Sequence, residues 1–212
     1  MGLPRLRYTP ENISFLNQNE IFVFGSNGGG QHIGGAAYTA LAWGAKMGVA
    51  EGLCGKTYAI PTLTEDFNKV TKEDLKNSFA RFFSFALINP GRVFLVTKIG
   101  CGIAAWDICD VAILFWEAAR ETYQGLSFPC VGNLPENIVV PQEFYEYLPE
   151  AAREVWRDML ALLEEMRVVR ARFQERKKSM TIEEHEQFFN IIRELESEYN
   201  LLQEDIRTSG LV

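Results

Sequence analysis

The chain has 212 residues, 47% of them hydrophobic and 23% charged, with a formal net charge of −7. These proportions are those of a folded globular protein, and the acidic balance excludes phosphate-backbone binding as the main activity, so nucleic acid is not an expected partner. No run of about 18 uninterrupted apolar residues occurs, so neither a transmembrane helix nor a membrane partner is expected.

Glu20–Phe24 (EIFVF) is a short apolar run that meets Gly-Ser-Asn, and it reads as a buried strand entering a loop. Residues 35–47 read as a helix. Lys56–Ile60 (KTYAI) reads as a second strand stopped by Pro61. From Thr71 to about Asn89, Leu75, Phe79, Phe82, Phe83 and Ala86 fall on one side of an amphipathic helix closed by Pro90-Gly91. Arg92–Thr97 (RVFLVT) is a third strand, 99–106 a glycine-rich loop, and 107–123 a helix with Asp107 as its N-cap. Asn137–Val140 is a last short strand before Pro141. This alternation implies an α/β fold with a mostly parallel sheet and helices on both faces.

Beyond 141 the pattern changes, so 1–141 and 142–212 are expected to be separate domains. Ala152, Val155, Met159, Leu162, Met166, Val169 and Phe173 recur at helical spacing, as do His185, Phe188, Ile192, Leu195, Tyr199, Leu202 and Ile206. Thr181 with Glu184 three residues on is a capping box for a second helix. Two long helices folded into a hairpin with a coiled-coil-like seam follow, His185 lying on the seam. Residues 141–212 carry 10 basic and 16 acidic side chains. Phe189, Ile191, Trp156, Leu160 and Leu163 widen the apolar stripe beyond a two-helix seam, which points to a homodimer through these helices or to docking on the α/β domain.

Four cysteines, at 54, 101, 109 and 130, show no C-x-x-C spacing, and the two histidines are far apart. Free thiols are expected, and no metal site. The N-terminal Met-Gly-Leu-Pro-Arg-Leu-Arg has no long apolar core, and Gly2 is not followed by Ser or Thr at the myristoylation position. A cytoplasmic location is the expectation.

The chemistry concentrates in two glycine-rich loops. The first, Gly25-Ser26-Asn27-Gly28-Gly29-Gly30-Gln31-His32-Ile33-Gly34-Gly35-Ala36-Ala37, joins a strand to a helix. Five glycines between 28 and 35 exceed what a turn requires. They let backbone approach a ligand closely and aim several N–H groups at an anion. The second, Thr97-Lys98-Ile99-Gly100-Cys101-Gly102-Ile103-Ala104-Ala105-Trp106, also joins a strand to a helix, so the two can face each other across one cleft. No G-x-x-x-x-G-K-[ST] occurs, which excludes a P-loop nucleotidase. Gly100 to Ala105 mimics G-x-G-x-x-A, but no strand ending in an acidic residue follows about 20 positions on, as a dinucleotide-binding Rossmann unit requires.

Segments 20–37, 55–62 and 92–106 together resemble a macro-domain-like family of bacterial and phage proteins, in which a strand ends in Phe-Gly-Ser-Asn, a His-Gly-x-Gly-Ala-Ala stretch follows, and a later strand leads into Ile-Gly-Cys-Gly-x-Ala-Gly. The resemblance covers residues 20–140 and implies a three-layer macro-domain-like sheet that binds ADP-ribose or a related NAD-derived nucleotide, with no cofactor. By that resemblance Asn27 holds the distal ribose, with Gly25 and Ser26 leading into it. Gly34, Gly35 and Ala36 open the first helix. Gly100, Cys101, Gly102, Ile103 and Ala104 wrap the diphosphate. Two departures stand out: Pro10–Asn19 holds no counterpart of the adenine-binding aspartate, and Ala105 replaces a glycine.

Some macro domains hydrolyse ADP-ribose esters, a reaction that needs little beyond an oriented water and a bound diphosphate. Asn27 and His32 are the catalytic candidates, His32 as a proton carrier or else as a loop histidine bonded to backbone. Cys101 offers another class, a thiol nucleophile activated by His32. Asp107 is a helix cap or a base. The alternative to nucleotide binding is an assembly protein in which the α/β domain is a scaffold and the helical hairpin oligomerises.

Overall fold

The computed structural model describes residues 8–123, 130–131, 134–135, 137–148 and 150–208, with the side chains of 124–136, 149–156, 160, 163 and 203–208 outside the description. The chain forms two compact units, Arg7–Leu148 and the segment from Pro149 on. The side chains of Cys130, Ala152, Val155, Trp156, Leu160, Leu163 and Ile206 lie outside the described residues.

The first unit is a mixed α/β fold. Its strands are β1 (Glu20–Asn27), β2 (Gly52–Cys54), β3 (Thr57–Leu63), β4 (Val93–Val96), the short β5 (Cys130–Val131) and β6 (Leu134–Pro135), and β7 (Ile138–Val139). The helices are α1 (Gly35–Leu41), α2 (Lys72–Leu87) and α3 (Ile108–Tyr123), followed by a 3-10 turn at Gln142–Tyr147. The main sheet has the order β2-β3-β1-β4-β7, while β5 and β6 pair separately. β1 runs parallel to β3 and β4, and β4 parallel to β7; β2 alone is antiparallel, on the edge.

The period of two along the strands sorts side chains to opposite faces. Phe22 and Phe24 of β1, Ala59 of β3, Leu95 of β4 and Val139 of β7 pack with Ala37 and Ala40 of α1. On the other face Tyr58 of β3 and Phe94 of β4 meet Phe82 and Phe85 of α2. Phe79 and Phe83 of α2 continue edge-on to Phe115 of α3. Phe79, Phe82, Phe83, Phe94 and Phe115 are fully buried, and each contributes about 1.5–3 kcal/mol by burial alone. Thr71 caps α2 by accepting the Asp74 N–H at 3.0 Å, and Asp107 caps α3 by accepting the Cys109 N–H at 2.8 Å.

Four features depart from the sequence reading, the first being that β3 runs through Pro61 to Leu63 instead of stopping at Pro61. The first helix ends at Leu41, not 47, because Gly44 adopts φ +101 against the Cα of Gly55. The edge strand β2 and the β5–β6 pair were not expected; each has only two or three residues, too few to show alternation. The domain boundary lies near 148 and not 141. Residues 142–148 belong to the first unit: Phe144, Tyr145 and Leu148 are buried, and the Trp116 Nε1–H donates to the Phe144 carbonyl at 2.6 Å.

The second unit is a helical hairpin of α4 (Glu150–Arg176) and α5 (Ile182–Thr208). Met159, Leu162 and Met166 of α4 and Ile192, Leu195 and Tyr199 of α5 are buried along its stripe. Phe173 stacks on Phe188 with ring centroids 4.0 Å apart, and His185 sits edge-on to Phe173 at 5.4 Å. The capping box forms: the Glu184 N–H donates to Thr181 Oγ1 at 3.2 Å and the Thr181 N–H to the Glu184 carboxylate at 2.7 Å. No helix among the described residues is long and apolar enough to cross a membrane.

Candidate functional site

The carboxyl ends of β1, β3 and β4 open into one cleft of about 310 Å³, within the range of small-molecule sites. Parallel sheets place ligands at this edge because the strand-to-helix loops emerge there. The cleft is lined by Gly25, Ser26, Asn27, Gly34, Gly35 and Ala36 from the first glycine loop and by Gly100, Gly102, Ile103 and Ala104 from the second. Thr62, Leu63 and Phe67 join them from the end of β3, and Thr97 and Lys98 from the end of β4.

The floor is built by backbone contact. A Cβ on Gly25 would stand 3.0 Å from the Gly100 nitrogen, so the two loops touch where neither has a side chain. Gly100 takes φ +74, and a Cβ there would stand 2.9 Å from Trp106 Cδ1. Trp106 is pinned in turn, donating through Nε1–H to the Thr62 carbonyl at 3.0 Å and through its backbone N–H to the Gly100 carbonyl at 3.0 Å. The second loop is therefore held by β3 as well as by its own turns. Its Gly102, Ile103 and Ala104 N–H groups have no acceptor among the described residues.

At the end of β1 the register with β3 shifts between Ser26 and Asn27. A shift of this kind re-aims the side chain that follows it. Asn27 is 3% exposed and lines the cleft. Its Oδ1 accepts the Gln31 N–H at 2.7 Å, which fixes the amide orientation, and its Nδ2 has no partner. A buried amide donor left without an acceptor costs about 1–3 kcal/mol.

The rim is apolar. Ile33 is 66% exposed and Ile103 71%. A Cβ on Gly34 would stand 2.7 Å from Ile103 Cδ1, so Ile103 of the second loop reaches across to the first. Lys98 is the one ionisable side chain among the described lining residues. Its Nζ lies 2.5 Å from Glu143 and 3.5 Å from Glu11. The hydrogen bond to Glu143 raises the Lys98 pKa and holds the Glu143 carboxyl below its ordinary value.

Two candidates do not reach the cleft. His32 is 1% exposed and turned into the core, edge-on to Phe24 at 5.2 Å, while its backbone N–H reaches Met47 Sδ at 3.4 Å. The apolar underside of the loop takes the imidazole, which is not among the lining residues, and its ring nitrogens have no partner, so the backbone hydrogen bond expected of the ring is not formed. Cys101, between two lining glycines, is not itself among the lining residues. Its thiol contacts the Ile99 carbonyl at 3.5 Å, and burial, with Asp107 nearby, pushes its pKa up to about 11. A thiol so protonated is a poor nucleophile. No group of three or more His, Cys, Asp or Glu among the described residues converges to hold a metal ion.

The sequence reading did not single out Thr62, Phe67, Thr97 or Lys98. Thr97 and Lys98 stand inside the second loop as quoted. Thr62 closes the 55–62 segment quoted for the resemblance, and Phe67 carries no local signal; both reach the cleft through the pairing of β3 beside β1. No protein-family model, curated protein or solved structure matches the chain.

Proposed function

We propose that the first unit binds a phosphorylated nucleotide of the ADP-ribose class in the cleft between the two glycine loops. The observation that carries this reading is Asn27: a buried amide donor without a partner, in a cleft wall, beside backbone N–H groups that are also without acceptors. An oxygen-rich ligand supplies acceptors to both. In this reading the Asn27 Nδ2–H donates to a ribose hydroxyl, and the N–H groups of Gly102, Ile103 and Ala104 hold phosphate oxygens. The macro-domain resemblance of the two loop sequences points to the same pair of groups. Ile103 then closes over the phosphates. The arrangement favours binding, because neither imidazole nor thiol lines the cleft; a hydrolytic step would have to use a water oriented by Asn27.

The test is a calorimetric and thermal-shift series with ADP-ribose, NAD, nucleoside diphosphates and pyrophosphate. A ligand that binds only the native state raises the melting temperature. The wild type is expected to bind ADP-ribose, and Asn27→Ala to weaken it about tenfold or more while changing pyrophosphate little. An equal loss for both would assign Asn27 to anchoring its own loop through Gln31. No binding of any nucleotide would sink the reading.

A second reading concerns the helical hairpin. Phe189 is 54% and Ile191 45% exposed beside its buried stripe. We propose that these residues mediate self-association into a homodimer. Light scattering of the whole chain across the micromolar range should give twice the 24.1 kDa chain mass; the chain mass itself at every concentration would exclude it.

A further inference from the structure

The cation of the cleft is already neutralised. Lys98, the one ionisable side chain among the described lining residues, has its Nζ 2.5 Å from Glu143 and 3.5 Å from Glu11. The hydrogen bond from Lys98 holds the Glu143 carboxyl below its ordinary value, so it is ionised at neutral pH. One positive charge thus meets two negative ones, and the cluster is left net negative. Lys69, beside the second loop, is engaged as well: it donates to the Ala105 carbonyl at 2.7 Å and lies 5.4 Å from the centre of the Trp106 ring. Carboxylates also flank both loops. The turn from Thr64 to Asn68, in which Phe67 takes φ +60, puts Glu65 Cγ 3.3 Å from where a Cβ on Gly29 would stand. Asp107 follows the second loop as the cap of α3. The groups left to hold an anion are uncharged: the N–H groups of Gly102, Ile103 and Ala104, which have no acceptor among the described residues.

Uncharged donors in negative surroundings limit how much charge a ligand can bring. Each N–H still holds a phosphate oxygen, but every further negative charge is repelled by the carboxylates with no free cation to offset it. A phosphate esterified on both sides carries one charge, whereas a terminal phosphate carries up to two at neutral pH. Resting on the nucleotide reading above, we propose that Glu143 and Glu11 make the cleft a charge filter, selecting nucleotides whose diphosphate is esterified at both ends over those ending in a free phosphate. The two glutamates touch Lys98 and not the ligand. They set specificity by cancelling the cation that would otherwise reward a second charge.

Adenosine 5′-diphosphate and its β-methyl ester differ by one methyl group and one negative charge, so their comparison by calorimetry isolates the charge. At low salt the wild type should bind the ester about threefold or more tighter, and high salt should shrink that preference. Glu143→Gln should tighten the diphosphate more than the ester and so narrow the preference. Glu11→Gln, which removes the longer contact, should narrow it less. Glu121→Gln, which removes a carboxylate paired with Lys76 outside the cleft lining, should leave it unchanged. Equal wild-type affinities, or a tighter diphosphate, would overturn the filter while leaving a nucleotide site standing. A preference that survives both high salt and Glu143→Gln would assign it to the shape around the terminal oxygen, which also overturns the filter. A wild type that binds neither probe nor ADP-ribose would overturn the nucleotide reading itself.

Discussion

Gly100 and Gly102 stand two residues apart in one loop, yet side chains at the two positions should do opposite things. Gly100 sits at φ +74, and its missing Cβ would fall 2.9 Å from the Trp106 ring. Gly100→Ala therefore carries a left-handed penalty of about 1–2 kcal/mol. Displacing a tryptophan that is tied to Thr62 adds about 1–3 kcal/mol more. A loss of roughly 2–5 kcal/mol lowers the melting temperature by about 4–20 °C in a protein of this size. At Gly102 the backbone lies outside the left-handed region, and an added Cβ meets nothing within 4 Å. Gly102→Val should then leave stability within about 0.5 kcal/mol. It should nevertheless abolish binding. An oxygen accepting the free N–H groups of 102–104 must come within about 3 Å of nitrogen, closer than a methyl group permits. A loss of tenfold or more in ADP-ribose affinity is expected, read by calorimetry beside thermal unfolding of both variants. Unchanged affinity in a normally folded Gly102→Val protein would show that the second loop does not hold the anion. If Gly102→Val instead melted like Gly100→Ala, the open space at 102 would not exist.

Three further perturbations probe the same loop and its surroundings. Ala105 occupies φ +51 where the resembling family has glycine. Relief of that strain, less the entropy glycine adds to the unfolded chain, should make Ala105→Gly neutral to about 1 kcal/mol more stable; a clear fall in melting temperature would mean the methyl packs. Cys101, with its pKa pushed up to about 11 by burial, should be alkylated by iodoacetamide at a rate that climbs about tenfold per pH unit from 7 to 10; a plateau near pH 8 would contradict the buried-thiol assignment. Glu143→Gln leaves the Lys98 cation without its 2.5 Å partner at the cleft wall. It should tighten ADP-ribose binding about two- to fivefold at low salt and lose the effect at high salt; a salt-independent change would point to altered packing of residues 142–148.

Elements with long, strong periodicity were legible in the sequence, and so was the cap that starts α5. Leu75, Phe79, Phe82, Phe83 and Ala86 repeat at helical spacing, and they are the buried face of α2. Thr181 and Glu184 announce α5 through chemistry local to four residues. The two glycine loops could be placed at one cleft because both follow strands that became parallel neighbours. Local sequence does not carry contacts made across the sheet. Phe67 reaches the cleft because β3 pairs with β1, and its φ is set by the turn from Thr64 to Asn68. His32 appeared available because a histidine in a glycine-rich loop is ordinarily solvated. Here the loop folds over Phe24 and takes the imidazole beneath it. The division between the compact units near 148 was not legible for a related reason: Pro141 ends a strand, but Phe144 and Leu148 carry apolar surface that the first unit buries.

The positions of His32 and Cys101 bear on what the cleft can do. A covalent or acid–base mechanism needs a group that titrates or attacks within reach of the ligand. The described lining residues provide amides, hydroxyls, backbone N–H groups and one lysine, whose charge is engaged by Glu143 and Glu11. Those groups recognise oxygen by donating to it. They are also fixed before any ligand arrives: Asn27 by Gln31, Gly100 by Trp106, and Trp106 by the end of β3. Pre-set donors cost little to organise when a ligand binds. The same donors act on a transition state only where charge grows on an oxygen they already hold. Groups of this kind therefore suit retention of an oxygen-rich ligand first, which the proposed reading takes to be a nucleotide. Any turnover would come from water held against Asn27, with a rate set by that geometry and not by a titrating side chain.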